Sequence, residues 1–309
     1  MSVHDLKIVN GHVVLPTHIE KADILVDNGN ITAIIKSGIA KQKNADNVIN
    51  ASGCVILPGL VDVHVHFRDP GYPQKEDFAS GSAAAAAGGV TTIADMPNTK
   101  PPTTTPKHLA EKIQFGEAKS RIDFALHGGP PIRFDTDNDT NAINFDFAQR
   151  MQKSGILSFK IYMPHNEAPY IPPLSSLGLP LTIHAEAPAL LSTPIDGSHE
   201  SFFASRPADA EVLAIEHLLQ KPLGVPLHIC HLSTNQGLQH ILAAQKRGFR
   251  VTCEVTPHHL LLSKKKLAHL GPISKCFPPL RSTSDVQTEA EKCQLLNCVK
   301  HGSVFLAPV

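Results

Sequence analysis

The 309-residue sequence contains no tryptophan, and its six cysteines are scattered without any Cys-x-x-Cys spacing. That cysteine pattern is typical of reduced thiols in a cytoplasm rather than of a disulfide framework or a zinc ribbon. No uninterrupted apolar stretch approaches the roughly 18 residues that a membrane span needs. The first residues show no basic segment followed by a long apolar one, so a secretion signal is not expected. These absences together predict a cytoplasmic protein.

The chain also has no formal net charge, because 28 Lys and Arg residues balance 28 Asp and Glu residues. Without a basic excess or an Arg-rich run, neither nucleic acid nor an anionic membrane is an expected partner. A small-molecule substrate is the interpretation that remains. Hydrophobic residues make up 42% of the chain, which is enough for one large domain and one small domain.

The pattern of apolar residues divides the chain near residue 57. Residues 1–56 consist of short strand-like runs, and we expect them to form a small sandwich-like β-unit. Two Asn-Gly pairs in this region, at Asn10 and at Asn28, lie between alternating apolar residues. Because Asn-Gly is the strongest short hairpin signal, both pairs are predicted to form hairpin turns.

Residues 57–309 alternate between strand-like runs and helix-like segments rich in Ala, Glu and Leu. The strand candidates are Val61–Phe67, Val90–Met96, Ile122–His127, Ile156–Met163, Leu181–Glu186, Leu227–His231, Val251–Val255 and Val304–Ala307. Eight strands with crossover-length connections predict an α/β fold, a (β/α)8 barrel of the TIM type that is cut off at strand eight. A doubly wound open sheet is the alternative, but no Gly-rich phosphate loop follows the first strand.

Histidine is abundant, with 18 residues, and its positions favour a metal site. In "VDVHVHFRDP" the strand period of two places His64 and His66 on one face. Taken alone, this pair is explained equally well by metal binding and by two core histidines. His184 and His231 also lie at the C-terminal ends of strand candidates, where barrel active sites form. Four histidines at the ends of three strands are hard to explain by packing and predict metal ligands.

Three other polar residues belong to the same predicted site. Lys160 lies near the end of a buried strand, so it must reach the rim, pair with a carboxylate or lose its charge. As a carbamate formed with carbon dioxide, it would bridge two divalent ions, of which zinc suits imidazole and oxygen ligands best without excluding manganese or cobalt. Arg68 suits a substrate carboxylate, and Asn98 suits a carboxylate or an imide, although turn formation beside prolines also explains Asn98.

Several separate blocks carry a family resemblance: "VDVHVHFRDPG", "DMPNTKPPT", "SFKIYM", "IHAE", "CHLST", "VTPHHL" and "PPLRS". Over residues from about 5 to 285 the sequence resembles a class I dihydroorotase of the cyclic amidohydrolase superfamily. The resemblance implies that His64, His66, His184 and His231 are metal ligands, with Lys160 as the carboxylated bridge. Arg68 and Asn98 would hold the substrate carboxylate, and both favour a dihydroorotase over an allantoinase or a hydantoinase. His258 and His259 are interpreted as loop residues rather than ligands.

The implied reaction is the interconversion of N-carbamoyl-L-aspartate and L-dihydroorotate in de novo pyrimidine biosynthesis. The family pattern continues beyond Val309 with a metal-binding aspartate that acts as general acid and base, so no residue here is assigned that role. It also has an asparagine where this sequence has Phe277. We therefore expect doubtful activity, and a frameshift, a premature stop and a purposeful short form all remain open.

The alternative hypothesis is a non-catalytic homologue that binds a partner subunit, for instance an aspartate transcarbamoylase. The family's C-terminal strands normally complete the small β-unit, so strand edges left unpaired would favour a partner chain or a homo-oligomer. An enzyme acting on allantoin or a hydantoin is a third hypothesis, which Arg68 disfavours because those rings lack the carboxylate.

Overall fold

The computed structural model describes residues 3–39, 43–135, 140–281 and 304–306. Contacts divide the chain into two compact units, Met1–Leu60 and Val61–Val309. The division falls a few residues beyond the change in pattern seen in the sequence, and a short strand at Val55–Ile56 pairs within the first unit. None of the helices in the described ranges is long and apolar enough to cross a membrane.

The first unit is a small β-sheet. Its strands are β1 (His4–Val14), β2 (Ile19–Asp27), β3 (Asn30–Lys36), β4 (Ala45–Asn50) and β5 (Val55–Ile56). The sheet order is β3-β2-β1-β4, with β5 also paired to β1. β2 runs antiparallel to both β1 and β3, whereas β4 and β5 run parallel to β1. Val13, Ala22 and Ile24 form its buried core.

The two Asn-Gly pairs have different outcomes. Asn28 and Gly29 form the turn between β2 and β3 with left-handed φ angles of 51° and 72°, which confirms that prediction. The prediction for Asn10-Gly11 is wrong, because the pair lies inside β1 at a bulge, where the register to β2 shifts. The backbone N–H of Asn10 donates to the buried carboxylate of Asp23 at 2.9 Å, which stabilises the bulge. A Cβ at position 11 would overlap the Ile56 side chain, so packing favours glycine there.

The second unit confirms the predicted α/β class. The strands that match the eight candidates are β6 (Leu60–Val65), β7 (Val90–Asp95), β8 (Asp123–Leu126), β11 (Phe159–Tyr162), β12 (Leu181–His184), β13 (Leu227–Ile229), β14 (Val251–Val255) and β15 (Val304–Leu306). They form a three-stranded sheet, β6-β7-β8, and a parallel five-stranded sheet, β11-β12-β13-β14-β15. A parallel bridge between Gly128 and Phe159 connects the two sheets. Ala307, the predicted end of strand eight, lies outside the described residues.

Helices follow most of these strands. Those described are α1 (Phe78–Ala87), α2 (Pro106–Lys119), α3 (Phe145–Lys153), α4 (Ile171–Ser175), α5 (His199–Ala204), α6 (Ala208–Leu218), α7 (Asn235–Lys246), α8 (Pro257–Leu261) and α9 (Lys264–Leu267). Side-chain caps begin α1 at Asp77, α2 at Thr105 and α7 at Thr234. A hairpin follows β8, and the sequence analysis did not predict it. Its strands are β9 (Ile132–Asp135) and β10 (Thr140–Ile143).

A buried ion pair fixes the ends of β6 and β7. Lys112 of α2 places its Nζ 2.6 Å from Oδ2 of Asp95, and both side chains are fully buried. The same Nζ donates to the backbone oxygen of Met96 at 2.6 Å. The other oxygen of Asp95 accepts from the backbone N–H of Phe67 at 2.8 Å. The pair therefore anchors two segments that continue directly into Arg68 and Asn98.

We expect Lys112→Met to destabilise the protein by about 3–5 kcal/mol, because it leaves the Asp95 carboxylate buried without its cation. Equilibrium urea unfolding measures the change. The control is Lys107→Met on the same helix, where the Lys107 side chain is 81% exposed and lies 3.9 Å from Glu111. That exposed pair contributes less than about 1 kcal/mol. Equal effects of the two substitutions would contradict a structural role for the buried pair.

Candidate active site

The side chains predicted to form the site gather around one cavity at the C-terminal ends of the strands. The cavity has a volume of about 460 Å³. It is lined by His64, His66, Arg68, Asn98, Tyr162, Pro164, His165, His184, Arg206, His231, Thr256, His258, His259, Cys276 and Phe277. All four predicted histidine ligands and both predicted substrate contacts are in this lining. Lys160 is not part of the lining, but it lies directly behind Tyr162 with its Nζ 5.2 Å from the centre of that ring.

The imidazole rings of His64 and His66 direct the same ring nitrogen, Nε2, at each other. Their Nε2 atoms are 3.3 Å apart. The Nδ1 atom of His66 lies 2.8 Å from Oδ1 of Asn98, and the Nδ1 atom of His64 contacts the carboxylate of Glu254. Because both partners accept hydrogen bonds, each ring carries its proton on Nδ1 and directs the lone pair of Nε2 toward the other ring. Burial lowers the pKa of His64 to about 4, so the ring is neutral.

This arrangement fits a divalent metal ion. Two lone pairs that face each other repel unless a cation lies between them. Two nitrogens that bind one tetrahedral zinc ion at about 2.0–2.1 Å are separated by about 3.3 Å. The measured separation of the Nε2 atoms is 3.3 Å. Histidine ligands usually donate their other N–H to a carboxylate or carbonyl, as His64 and His66 do here.

His184 and His231 complete the group of imidazoles. Their ring centres are 4.5 Å apart, and the ring of His231 is 5.4 Å from that of His64. Nδ1 of His231 is buried and has no hydrogen-bond partner among the described residues. Nε2 of His184 lies 2.6 Å from Glu186, which also pairs with Arg206. The structure therefore brings together imidazoles from three separate strands, and one of them has a free buried nitrogen.

Lys160 is fully buried and has no carboxylate within ion-pair distance among the described residues. Its Nζ donates to Sγ of Cys230 at 2.7 Å. Burial raises the pKa of the Cys230 thiol to about 12, so this thiol is not a counter-ion for the amine. The sequence analysis offered two structural roles for Lys160, in which the lysine either reaches the rim or pairs with a carboxylate. The buried position of its Nζ beside Cys230 agrees with neither.

Arg68 and Asn98 lie side by side on the cavity wall. Nη1 of Arg68 donates to the backbone oxygen of Asn98 at 3.4 Å, and the guanidinium forms no ion pair with any described residue. Asn98 uses its side-chain oxygen to hold His66, a task that the sequence analysis did not predict. An unpaired guanidinium at the wall of a cavity can bind an anionic group of a ligand.

The sequence analysis missed Glu254, which is fully buried in β14. Its carboxylate contacts His64, lies 3.0 Å from Nε2 of His228 and accepts the backbone N–H of His231 at 3.2 Å. The sequence did contain a signal for this role, namely a glutamate inside the apolar strand "VTCEV". A buried charge needs partners, so this glutamate could have been predicted to bind polar groups of the site. In the described part of the chain, no carboxylate lines the cavity itself.

Comparisons with known proteins agree with this fold. Residues 53–150 match a family model described as dihydro-orotase-like. The chain is 35% identical to an allantoinase from Rubrobacter xylanophilus over 93% of its own length and 65% of the relative's. It is 32% identical to a dihydroorotase from Methanosarcina mazei, over 97% of its own length and 67% of the relative's. The chain thus spans about two thirds of the length of these relatives.

A solved structure of an L-hydantoinase (dihydropyrimidinase) from Arthrobacter aurescens superposes with a TM-score of 0.83 at 28% identity. The superposition covers 99% of this chain and 69% of that one. The fold and the sequence similarity thus define the class as the cyclic amidohydrolases. Within that class, the chain belongs to the dihydroorotase-like family of cyclic amidohydrolases, as its sequence blocks predicted.

On the expectation that the imidazoles bind zinc, Glu254→Gln should weaken that binding about 10–100-fold, because a neutral amide raises the basicity of Nε2 of His64 less than a carboxylate does. Competition with a chelator measures the affinity. The matched control is Glu216→Gln, since Glu216 is exposed on α6. An unchanged affinity in the Glu254 variant would show that the carboxylate has no role in metal binding.

Proposed function

We propose that this chain is a dihydroorotase-type cyclic amidohydrolase that interconverts N-carbamoyl-L-aspartate and L-dihydroorotate in pyrimidine biosynthesis. One observation carries the proposal. The Nε2 atoms of His64 and His66 are 3.3 Å apart and direct their lone pairs at each other, and the rings of His184 and His231 lie beside them. Structural packing does not require this arrangement, whereas a bound cation does.

The proposal includes a closed (β/α)8 barrel around the site. The side chain of His64 on β6 contacts Glu254 on β14, although these strands belong to different sheets. His127, which follows β8, donates from Nε2 to the backbone oxygen of Val63 on β6 at 3.0 Å. Contacts across the interior between β6, β8 and β14 are those expected when the strands curve around a common axis.

His64, His66, His184 and His231 would hold two divalent ions, with zinc favoured by the nitrogen-rich ligand set. Lys160 would bridge the ions as its carbamate, which supplies a negative charge that the four neutral imidazoles lack. When bound, the ions polarise an amide carbonyl and make water a stronger nucleophile. The buried position of Lys160 without a carboxylate partner supports this use of its amine.

The unpaired guanidinium of Arg68 favours dihydroorotate, which carries a carboxylate on its ring, over allantoin and simple hydantoins. Names of relatives do not decide between these substrates, because an allantoinase and a dihydroorotase are similar to this chain to nearly the same degree. Asn98 would contribute its side-chain N–H group beside Arg68 while its oxygen stays on His66.

Proton transfer is the step that the described lining does not support, because no carboxylate lines the cavity there. Glu254 and Glu186 are nearby, but both are held in buried pairs.

We expect Arg68→Met to weaken dihydroorotate binding about 10–100-fold, the equivalent of a charged hydrogen bond of about 1.5–3 kcal/mol. Isothermal calorimetry on the zinc-loaded chain measures binding without requiring turnover. Binding of hydantoin, which has no carboxylate, should not change. If both ligands lose affinity equally, Arg68 shapes the cavity instead of recognising the carboxylate.

The function itself is tested by assaying the zinc-loaded chain with carbamoyl-aspartate and dihydroorotate, with His64→Ala as the inactive control. We expect interconversion above that control, with the Methanosarcina mazei dihydroorotase assayed in parallel as the active reference. No activity above the control would refute the enzymatic proposal. Zinc binding without any turnover would favour the alternative, a non-catalytic homologue that joins a partner such as an aspartate transcarbamoylase, and co-purification with that partner would then test it.

A further inference from the structure

A second group of potential metal ligands lies on the wall of the same cavity. His258, His259 and Cys276 each offer one nitrogen or sulfur atom, and these atoms lie within 4.8 Å of one another. All three side chains line the cavity. None of them belongs to the set that the proposed reaction uses.

Local structure explains why these residues meet. The hydroxyl of Thr256 caps α8 by accepting from the backbone N–H of His259 at 3.3 Å, which places both histidines in one helical turn rather than in a loop. Pro278 brings in the thiol, because its backbone oxygen accepts from Nε2 of His259 at 3.0 Å and from Sγ of Cys276 at 3.2 Å. The nitrogen and the sulfur are therefore only 4.0 Å apart.

The protons on this group can be displaced by a cation. Nδ1 of His259 lies 2.6 Å from the hydroxyl of Thr256, which can donate or accept. The ring can therefore move its proton to Nδ1 and free Nε2, with Thr256 as the partner that histidine ligands usually have. The ring of His258 forms no hydrogen bond to any described residue and is half-buried, so its nitrogens are already available.

We propose that His258, His259 and Cys276 form a separate site for a zinc-class cation, with two imidazole nitrogens and one thiolate as ligands. Three nitrogen and sulfur ligands of this kind select zinc over magnesium or calcium. If the proposed function holds, an ion held by these three residues shares the cavity with the ring substrate, and excess zinc inhibits.

Cobalt(II) is a suitable probe, because a thiolate ligand produces a near-ultraviolet charge-transfer band that imidazole ligands do not. We titrate three proteins with cobalt(II) under reducing conditions: the full wild-type chain, Cys276→Ser and Cys54→Ser. Cys54→Ser is the control, because Cys54 is exposed. We expect the band and one additional bound equivalent in the wild type and in Cys54→Ser. Both should be absent in Cys276→Ser. A band that persists in Cys276→Ser would overturn the proposal, since another thiol, such as Cys230, would then be its source.

Two further variants separate this site from the imidazole group around His64. His64→Ala should keep the band, because the second site does not use that ring. His258→Gln should lose the additional equivalent while keeping the thiol, which covers the case in which Cys276→Ser fails to fold. Loss of the band in His64→Ala, or no loss of the additional equivalent in His258→Gln, would each show that no separate site exists. Neither outcome depends on turnover.

Discussion

The buried carboxylate of Glu254 is the contact on which the site depends. It reaches His64 on β6, His228 on β13 and the backbone of His231 at once. Burying a carboxylate is unfavourable unless it is paired and hydrogen-bonded, and here the partners come from positions that are far apart in sequence. The same contact decides which nitrogen of His64 faces the cavity. One interaction therefore both holds distant strands together and sets the chemistry of a ligand.

Much of this site follows from the sequence because it depends on local rules. The strand period places His64 and His66 together, and parallel strands bring His184 and His231 to the same edge. Glu254 could not be assigned in the same way, because its partner His64 is 190 positions away. The bond between Asn98 and His66 is likewise a tertiary contact. At Asn10-Gly11 the buried Asp23 and the packing of Ile56 outweigh a local turn preference.

Charge is distributed unevenly around the cavity. Burial lowers the pKa of His64, His66, His184 and His231, so these rings are neutral donors. The nearby carboxylates are already used in pairs, and the amine of Lys160 donates to the thiol of Cys230. Such a site has many electron-pair donors and little negative charge. The sequence left several roles open for Lys160. The number of roles is reduced by its burial and by its contact with Cys230, which the sequence does not show.

Two residues of the cavity, Arg68 and His231, have left-handed backbones, with φ angles of 60° and 36°. For a residue with a side chain this conformation costs about 1–2 kcal/mol, which packing elsewhere must offset. Glycine would relieve the strain at either position, so selection for heat resistance alone would favour glycine there. Such selection would remove a guanidinium or an imidazole from the cavity, which means that thermostability and ligand binding compete at these two positions.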